Sequence, residues 1–327
     1  MRSHVSRPPA PTTTLRILLS TVGRAAALSL AVGIVLLVIF FPYDTDAPLS
    51  AAEMAKERDY YGRAFAEKGR EVLPSDSAES AEEERYVKVG QTIAKAYHIE
   101  EDLNDFIQKR NLASAKALDV GSGRGYLQDM VADYTGLDIS PTASRFYHKP
   151  FVLGSATSMP LADNSFDLVW SIDVLEHVPN PEQALREIRR VAKDGAILYL
   201  SPAWDCQPYL ADGYNVRPYG DFGVQGKIIK AGIPARVAGH VFARMAIYPV
   251  RFATWKLAAA PTQLHYHKLK PNYSIYWGPD ADAVNSLDRY EAALWFLSRG
   301  DECLNCETGL DALTQADGRL IIRVRKS

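Results

Sequence analysis

Cysteine is nearly absent from this chain: Cys206, Cys303 and Cys306 are the whole set. So sparse and odd a number excludes a disulfide framework and fits a reducing compartment. Cys303-Leu-Asn-Cys306 has the spacing of half a zinc site but lacks a second pair. It is therefore read as two small apolar residues beside a strand. Acidic residues are missing from two long stretches, everything before Asp44 and everything from Phe222 to Pro279. The net charge of −2 says nothing about partners, so the distribution of charge has to. Internal charge is lacking too from Ala25 to Phe41, AAALSLAVGIVLLVIFF.

That uncharged run is apolar on all sides, unlike a core helix, which keeps a polar stripe. At about 1.5 Å per residue it just reaches across a hydrocarbon core of about 30 Å. Pro42 and Asp44 end it, and FFPYDTDAP offers no small-x-small cleavage site. The expected order is a basic tail (1–24), a transmembrane helix (25–42), an acidic linker with packing helices (43–112) and one α/β domain (113–327). The linker carries SAESAEEERYVKVGQTIAKAYHIE, which predicts a capped helix from about Ser80. Its Tyr60-Tyr61 pair could cover a cofactor, but is read first as a core contact. Basic residues before the span favour an internal N-terminus by charge, yet the chemistry below needs a cytoplasmic catalytic domain. Function decides here: membrane, single-pass, with a cytoplasmic domain.

Chemistry begins at Ala117-Leu118-Asp119-Val120, a short buried strand that runs into Gly121-Ser122-Gly123-Arg124-Gly125. A helical segment, Tyr126 to Ala132, should follow. Strand, glycine turn and helix together gather backbone N–H groups at one point. A second strand, Tyr134 to Leu137, ends at Asp138, 19 residues after Asp119. A carboxylate there can accept hydrogen bonds from a ribose diol. The spacing is G-x-G-x-G, and Asp119 precedes it directly, where it would repel a pyrophosphate but suit a cation. Downstream, Asn180-Pro181-Glu182-Gln183 starts a helix with Ala184, Leu185, Ile188 and Val191 on one face. Asp194-Gly195 should stop that helix before a strand at Ala196 to Leu200.

As a set, ALDVGSGRGYL, YTGLDISP and GSATSMPLADNSFDLVWSIDVLEHVPNPEQALREIRRVAKDGAILYLSP resemble the class I, seven-strand methyltransferases, specifically the methyltransferase type 11 group. The resemblance spans about Ala113 to Pro202. It implies a Rossmann-like seven-strand sheet and S-adenosyl-L-methionine as cofactor. Carried over position by position, it implies that Gly121, Ser122 and Gly123 line the methionine moiety with Asp119 beneath. Asp138 would hold the ribose and Ile139 would pack on the adenine. Ser155-Ala156 stands where the group has an acid-Ala pair at the adenine edge, and Ser171 would offer its carbonyl to the methionine ammonium. His177 is the candidate catalytic base. Relatives that methylate vicinal hydroxyls hold a divalent ion with an acid-x-x-Glu-His cluster like Asp173, Glu176 and His177. Asp stands here where they carry Glu, and no metal is expected.

The acid-free segment belongs to an expected cap insertion, residues 204–280. In it Arg236, His240 and Arg244 share one helical face, and Val237, Val241 and Met245 the next. Basic beside apolar at helical spacing suits either an interfacial helix on anionic lipid or a solvated pocket cap. His265-Tyr266-His267 is read as surface. A helix from Asp280 to Arg299 and an antiparallel pair around Cys303 and Arg319 to Val324 should complete the domain. The expected function is a membrane-anchored methyltransferase acting on a small-molecule, lipophilic or lipid-linked acceptor, with no nucleic-acid partner. Its alternative is a catalytically silent methyltransferase-like membrane scaffold.

Overall fold

A computed structural model describes residues 13–65, 90–275, 277–306 and 318–326. The helix expected from Ser80 falls mainly outside these residues. Seven strands form one mixed sheet: β1 (Ala117–Val120), β2 (Tyr134–Asp138), β3 (Phe151–Leu153), β4 (Phe166–Ile172), β5 (Ala192–Ser201), β8 (Glu302–Cys303) and β9 (Leu320–Arg323). Their order is β3-β2-β1-β4-β5-β9-β8, parallel through β5, with β9 antiparallel to both β5 and β8. The chain reverses its direction of winding between β1 and β4, which puts a crevice at the carboxyl ends of those strands.

Period-two alternation assigns the sheet's two faces. Leu118, Val120, Val169, Leu198, Leu200 and Ile322 point into one core. Ala117, Leu168, Trp170, Ile197, Tyr199 and Ile321 point into the other. The first is covered by the helices α4 (Pro181–Val191) and α6 (Arg289–Leu297), through Leu185, Ile188, Trp295 and Phe296. The second is covered by α3 (Ile99–Lys109), through Leu103 and Ile107.

Three expectations need correction. Residues after the glycine loop form turns rather than a helix, with Gly125 at φ 71° breaking any helical run. The β2–β3 connection, too short for a full crossover helix, holds a 3₁₀ segment, Ala143–Phe146. Asp194-Gly195 lies within β5, next to a β4–β5 register shift, because α4 already ends at Val191. The last helix starts at Arg289, capped by Asp288, because 280–288 is occupied by turns and by β7 (Asn285–Ser286), paired with β6 (His267–Lys268).

The N-terminal region is more integrated than a tether. Helix α1 (Thr13–Phe40) holds the apolar span, Thr21–Phe40, of mean hydropathy 2.3. Its exit strap is clamped to the domain: Asp44 bridges Tyr266 through backbone pairing and accepts from the Lys268 amide. Asn180 does not cap α4 as its type suggests. Its side chain exchanges two hydrogen bonds with Ala47, and Asp46 takes over the cap, accepting from the amides of Glu182 at 3.3 Å and Gln183 at 2.8 Å. Helix α2 (Ala51–Ala64) then starts at Ser50, whose capping box with Glu53 closes both ways. Asp46→Ala should cost about 1 to 2 kcal/mol, the usual loss of a helix cap. Denaturant unfolding of the full chain measures it, and an unchanged midpoint would mean that Asp46 caps nothing of consequence.

Candidate functional site

A cavity of about 550 Å³ opens where the sheet's winding reverses. Its floor comes from Gly121 after β1, Asp138 and Ile139 after β2, Leu153 to Thr157 after β3, and Asp173 and His177 after β4. Its roof is α2, which contributes Met54, Glu57, Arg58 and Tyr61. Another groove, lined by Arg186, Arg189, Arg190, Arg299 and Lys326, lies away from these residues. Its guanidinium groups are committed to partners such as Glu187, Asp163 and Asp301.

Local sequence explains the floor. Gly121 sits at φ 76°, and a Cβ there would lie 2.3 Å from Val174 Cγ2, so only glycine fits between β1 and the loop after β4. Asp138 is buried and accepts from the amides of Gly123 and Ser140, each at 2.8 Å. It thereby ties the glycine loop to the end of β2. Each carboxylate oxygen retains acceptor capacity for a further donor. Burial raises its pKa to about 6 against those hydrogen bonds.

Of the other sequence candidates, Ile139, Ser155 and Ala156 line the cavity directly. The Ser155 hydroxyl pairs with Thr157 Oγ1 at 2.9 Å. Asp119, Ser122, Gly123 and Ser171 stand behind this lining rather than in it. Asp119 accepts from the Tyr134 hydroxyl at 2.9 Å, and burial pushes its carboxyl up to about 7. The histidines of His265-Tyr266-His267 are half-buried and away from the cavity, with His265 facing Arg251 at 2.8 Å.

His177 is surrounded by acids, of which Asp280 and Asp282 lie outside the motif. Asp282 lies 3.6 Å from its Nδ1 and Glu176 lies 3.8 Å from its Nε2. The Tyr61 hydroxyl donates to Asp282 at 3.0 Å, so the tyrosine expected to be only a core contact also closes the site. Both Glu176 oxygens are buried without a hydrogen-bond partner among the described residues. Burial alone would depress the His177 pKa, but Asp282, Glu176 and Asp280 outweigh it and push it up to about 9. Burial pushes Glu57 up to about 7, Glu176 to about 8 and Asp173 to about 6. Glu176, His177 and Asp280 bring ligand atoms within 4.8 Å of one another, a set able to hold a cation. Asp280, not Asp173, completes that set, because the turn of the insertion carries it back over the β4 loop. One signal for the roof was in the sequence: Ser50-Ala-Ala-Glu53, the capping box that starts α2.

Each of these pKa values is raised, so the folded state binds the protons more tightly than the unfolded chain. The stability these groups contribute is therefore fully present below about pH 3.8 and is lost as pH rises towards about 9. Thermal unfolding across that window should show Tm falling with pH, and Glu176→Gln should flatten the fall below about pH 8. An unchanged slope in Glu176→Gln would mean that this carboxylate ionises freely.

Residues 118–200 match a family model described as a methyltransferase domain. An uncharacterized methyltransferase of Mycobacterium tuberculosis is 32% identical over 165 residues, covering 46% of this chain and 65% of its own length. One from Mycobacteroides abscessus is 30% identical over 153 residues, covering 42% and 58%. These curated relatives are thus matched over less than two thirds of their length. Among solved structures, a putative methyltransferase from Bacillus halodurans is 24% identical, with 35% of this chain and 60% of that one covered at a TM-score of 0.32. The segment that builds most of the parallel sheet and of the cavity floor is thus similar to a methyltransferase domain.

Proposed function

We propose that the protein is a membrane-anchored, S-adenosylmethionine-dependent methyltransferase whose catalytic domain lies on the cytoplasmic side and whose acceptor is small and lipophilic or lipid-linked. One observation carries this reading: the cavity's roof starts at Leu49, nine residues after Phe40 ends the apolar helix, and the intervening strap is pinned to the domain. An acceptor leaving a bilayer would meet the cavity mouth at that strap.

In this assignment Gly121, Ser122 and Gly123 hold the methionine end above Asp119. Asp138 takes the ribose, Ile139 and Ala156 border the adenine with Ser155 at its edge, and the Ser171 carbonyl receives the ammonium. When bound, the cofactor supplies a methyl carbon already activated by a sulfonium. The chain's task is then to align the acceptor, exclude water and accept a proton where the acceptor carries one. Tyr61 and Met54 exclude water from above. His177 faces the acceptor side, but its acid neighbours keep it protonated at neutral pH. Asp173, which lines the cavity and is held up only to about 6, is then the group ready to take a proton.

The second reading, a silent scaffold, draws on Ser155, which replaces the acid of the related pattern. Calorimetric titration of S-adenosylmethionine and its demethylated product into the full chain separates the two. We expect binding that Asp138→Ala weakens by about 1 to 3 kcal/mol, tenfold for each 1.4 kcal/mol. A folded sample that binds neither compound would favour the scaffold.

A further inference from the structure

The acid-free segment folds as one long helix, α5 (Val224–Ala258), 35 residues or about 52 Å. Its amphipathic sides are reversed from the expectation of a basic face turned towards lipid or solvent. Arg244 turns inward to Asp205 at 2.6 Å and Asp288 at 3.3 Å, and Arg251 forms a two-pronged pair with Glu291 at 2.7 Å. Arg236 and His240 lie against the Phe40 ring of α1. Every basic side chain between Lys230 and Lys256 is therefore half-buried against the protein.

What faces outward is apolar. Among the described side chains from Ala231 to Ala253, the exposed ones are alanine, glycine, proline and larger hydrophobes. Val237 is 46% exposed, Val241 and Met245 are each 58%, and Phe252 is 42%. Scattered exposed hydrophobes are ordinary, but a continuous strip without a polar group marks a contact surface. Lys227 and Lys230 precede the strip, and Lys256 follows it, packed on the Trp255 ring at 4.1 Å. Cations and a tryptophan at the limits of an apolar stretch suit a membrane boundary.

Two observations choose the occupant. The strip is continuous with α1: Leu36 and Phe40 pack at Gly239, where an added Cβ would come within 3.0 Å of Leu36. Helix α1 is itself exposed from Thr21 to Val32, and only its last two turns pack on α5. The inner side of α5 meets Tyr290 and Leu294 of α6, so α5 cannot be surrounded by lipid as a spanning helix is. We infer that α5 lies in the plane of the bilayer that α1 crosses, with Val237, Val241, Met245 and Phe252 immersed at the headgroup–acyl boundary, and that this contact is hydrophobic rather than electrostatic. The inference rests on α1 being the anchor.

The full chain, reconstituted in phosphatidylcholine vesicles, provides the test. Met245→Cys and Ile34→Cys are labelled separately with a small fluorophore, then quenched by nitroxide-bearing lipid or by aqueous iodide. Both labels should be quenched about twofold or more by the lipid probe relative to iodide, as for a face buried on the order of 5–10 Å deep. Adding phosphatidylserine should leave the Met245 result unchanged. Iodide quenching at Met245 with lipid quenching at Ile34 overturns the α5 inference and leaves the anchor standing. Iodide quenching at both removes the anchor. Shielding of Met245 from both quenchers means that another protein surface covers α5, which also overturns the inference. A requirement for phosphatidylserine would restore an electrostatic contact in its place.

Discussion

The pairing of the α5 guanidinium groups with buried acids fixes the rest of this molecule's outer architecture. Glu291 on α6 and Asp288 at the α6 cap are buried, Asp205 after β5 is half-buried, and Arg251 and Arg244 are the cations that meet them. Removing one partner of such a pair leaves a charge without solvation, which costs about 3 to 5 kcal/mol. Rotating α5 to show its basic side outward would break all of these pairs at once. The helix is therefore locked with its apolar side out, and that side must be covered by something that is not water.

The same economy ties α1 to the domain that carries the cavity. Asp46 finishes the cap of α4, Asp44 extends the β6 edge, and His267 Nε2 lies 3.2 Å from the Phe40 carbonyl. Glu182, one residue into α4, meets Trp295, the Leu264 amide and Arg186. A short strap thus connects the end of α1 to the helix behind the sheet and to the insertion. With α1 in a bilayer, the domain has one orientation rather than a cone of them, and the cavity mouth stays at a fixed height above the lipid. A flexible linker would deliver the domain near the membrane but would not align its mouth with it.

How much of this was legible in the residues follows from the range of each interaction. The sheet was legible because its signals are local: ALDV and FDLVWS are buried strands, Asn180-Pro181 starts a helix, and the glycine loop stands between β1 and β2. Asp138 was legible through spacing. The turns that replace a helix after the glycine loop were not, since only the positive φ at Gly125 reveals the break. The α5 periodicity was visible, but period alone cannot say which face turns inward when the deciding acids, Asp205, Asp288 and Glu291, lie 39 residues before Arg244 and about 40 after their partners. Asp280 and Asp282 reach His177 across more than 100 residues, a contact that spacing does not encode. The cysteine reading failed for a local reason: Cys303 and Cys306 flank a turn that brings their Cα atoms to 5.5 Å, and they are disulfide-bonded, with Cys206 the buried free thiol. That bond removes the ground for assigning a reducing compartment from cysteine count.

The acid cage also changes what kind of proton chemistry the site can support. A neutral imidazole is a good general base because its ordinary pKa lies near neutrality. His177, with Asp282 and Glu176 on opposite sides of its ring, keeps its proton well above that point. As a cation it can donate a hydrogen bond and orient an acceptor's oxygen or carbonyl, but it cannot remove a proton. In the proposed reading that step falls to a carboxylate, and Asp173, which burial and Asp280 raise only to about 6, is one that stays ionised at neutral pH while it faces the cavity. Aspartate tolerates the left-handed conformation it adopts there, at φ 52°, better than a β-branched residue would. The position immediately after β4 is therefore shaped by both backbone and charge. An acceptor that fits it would offer one polar group to the His177–Asp173 side of the cavity and an apolar body to Met54, Leu49 and the strap leading back to α1.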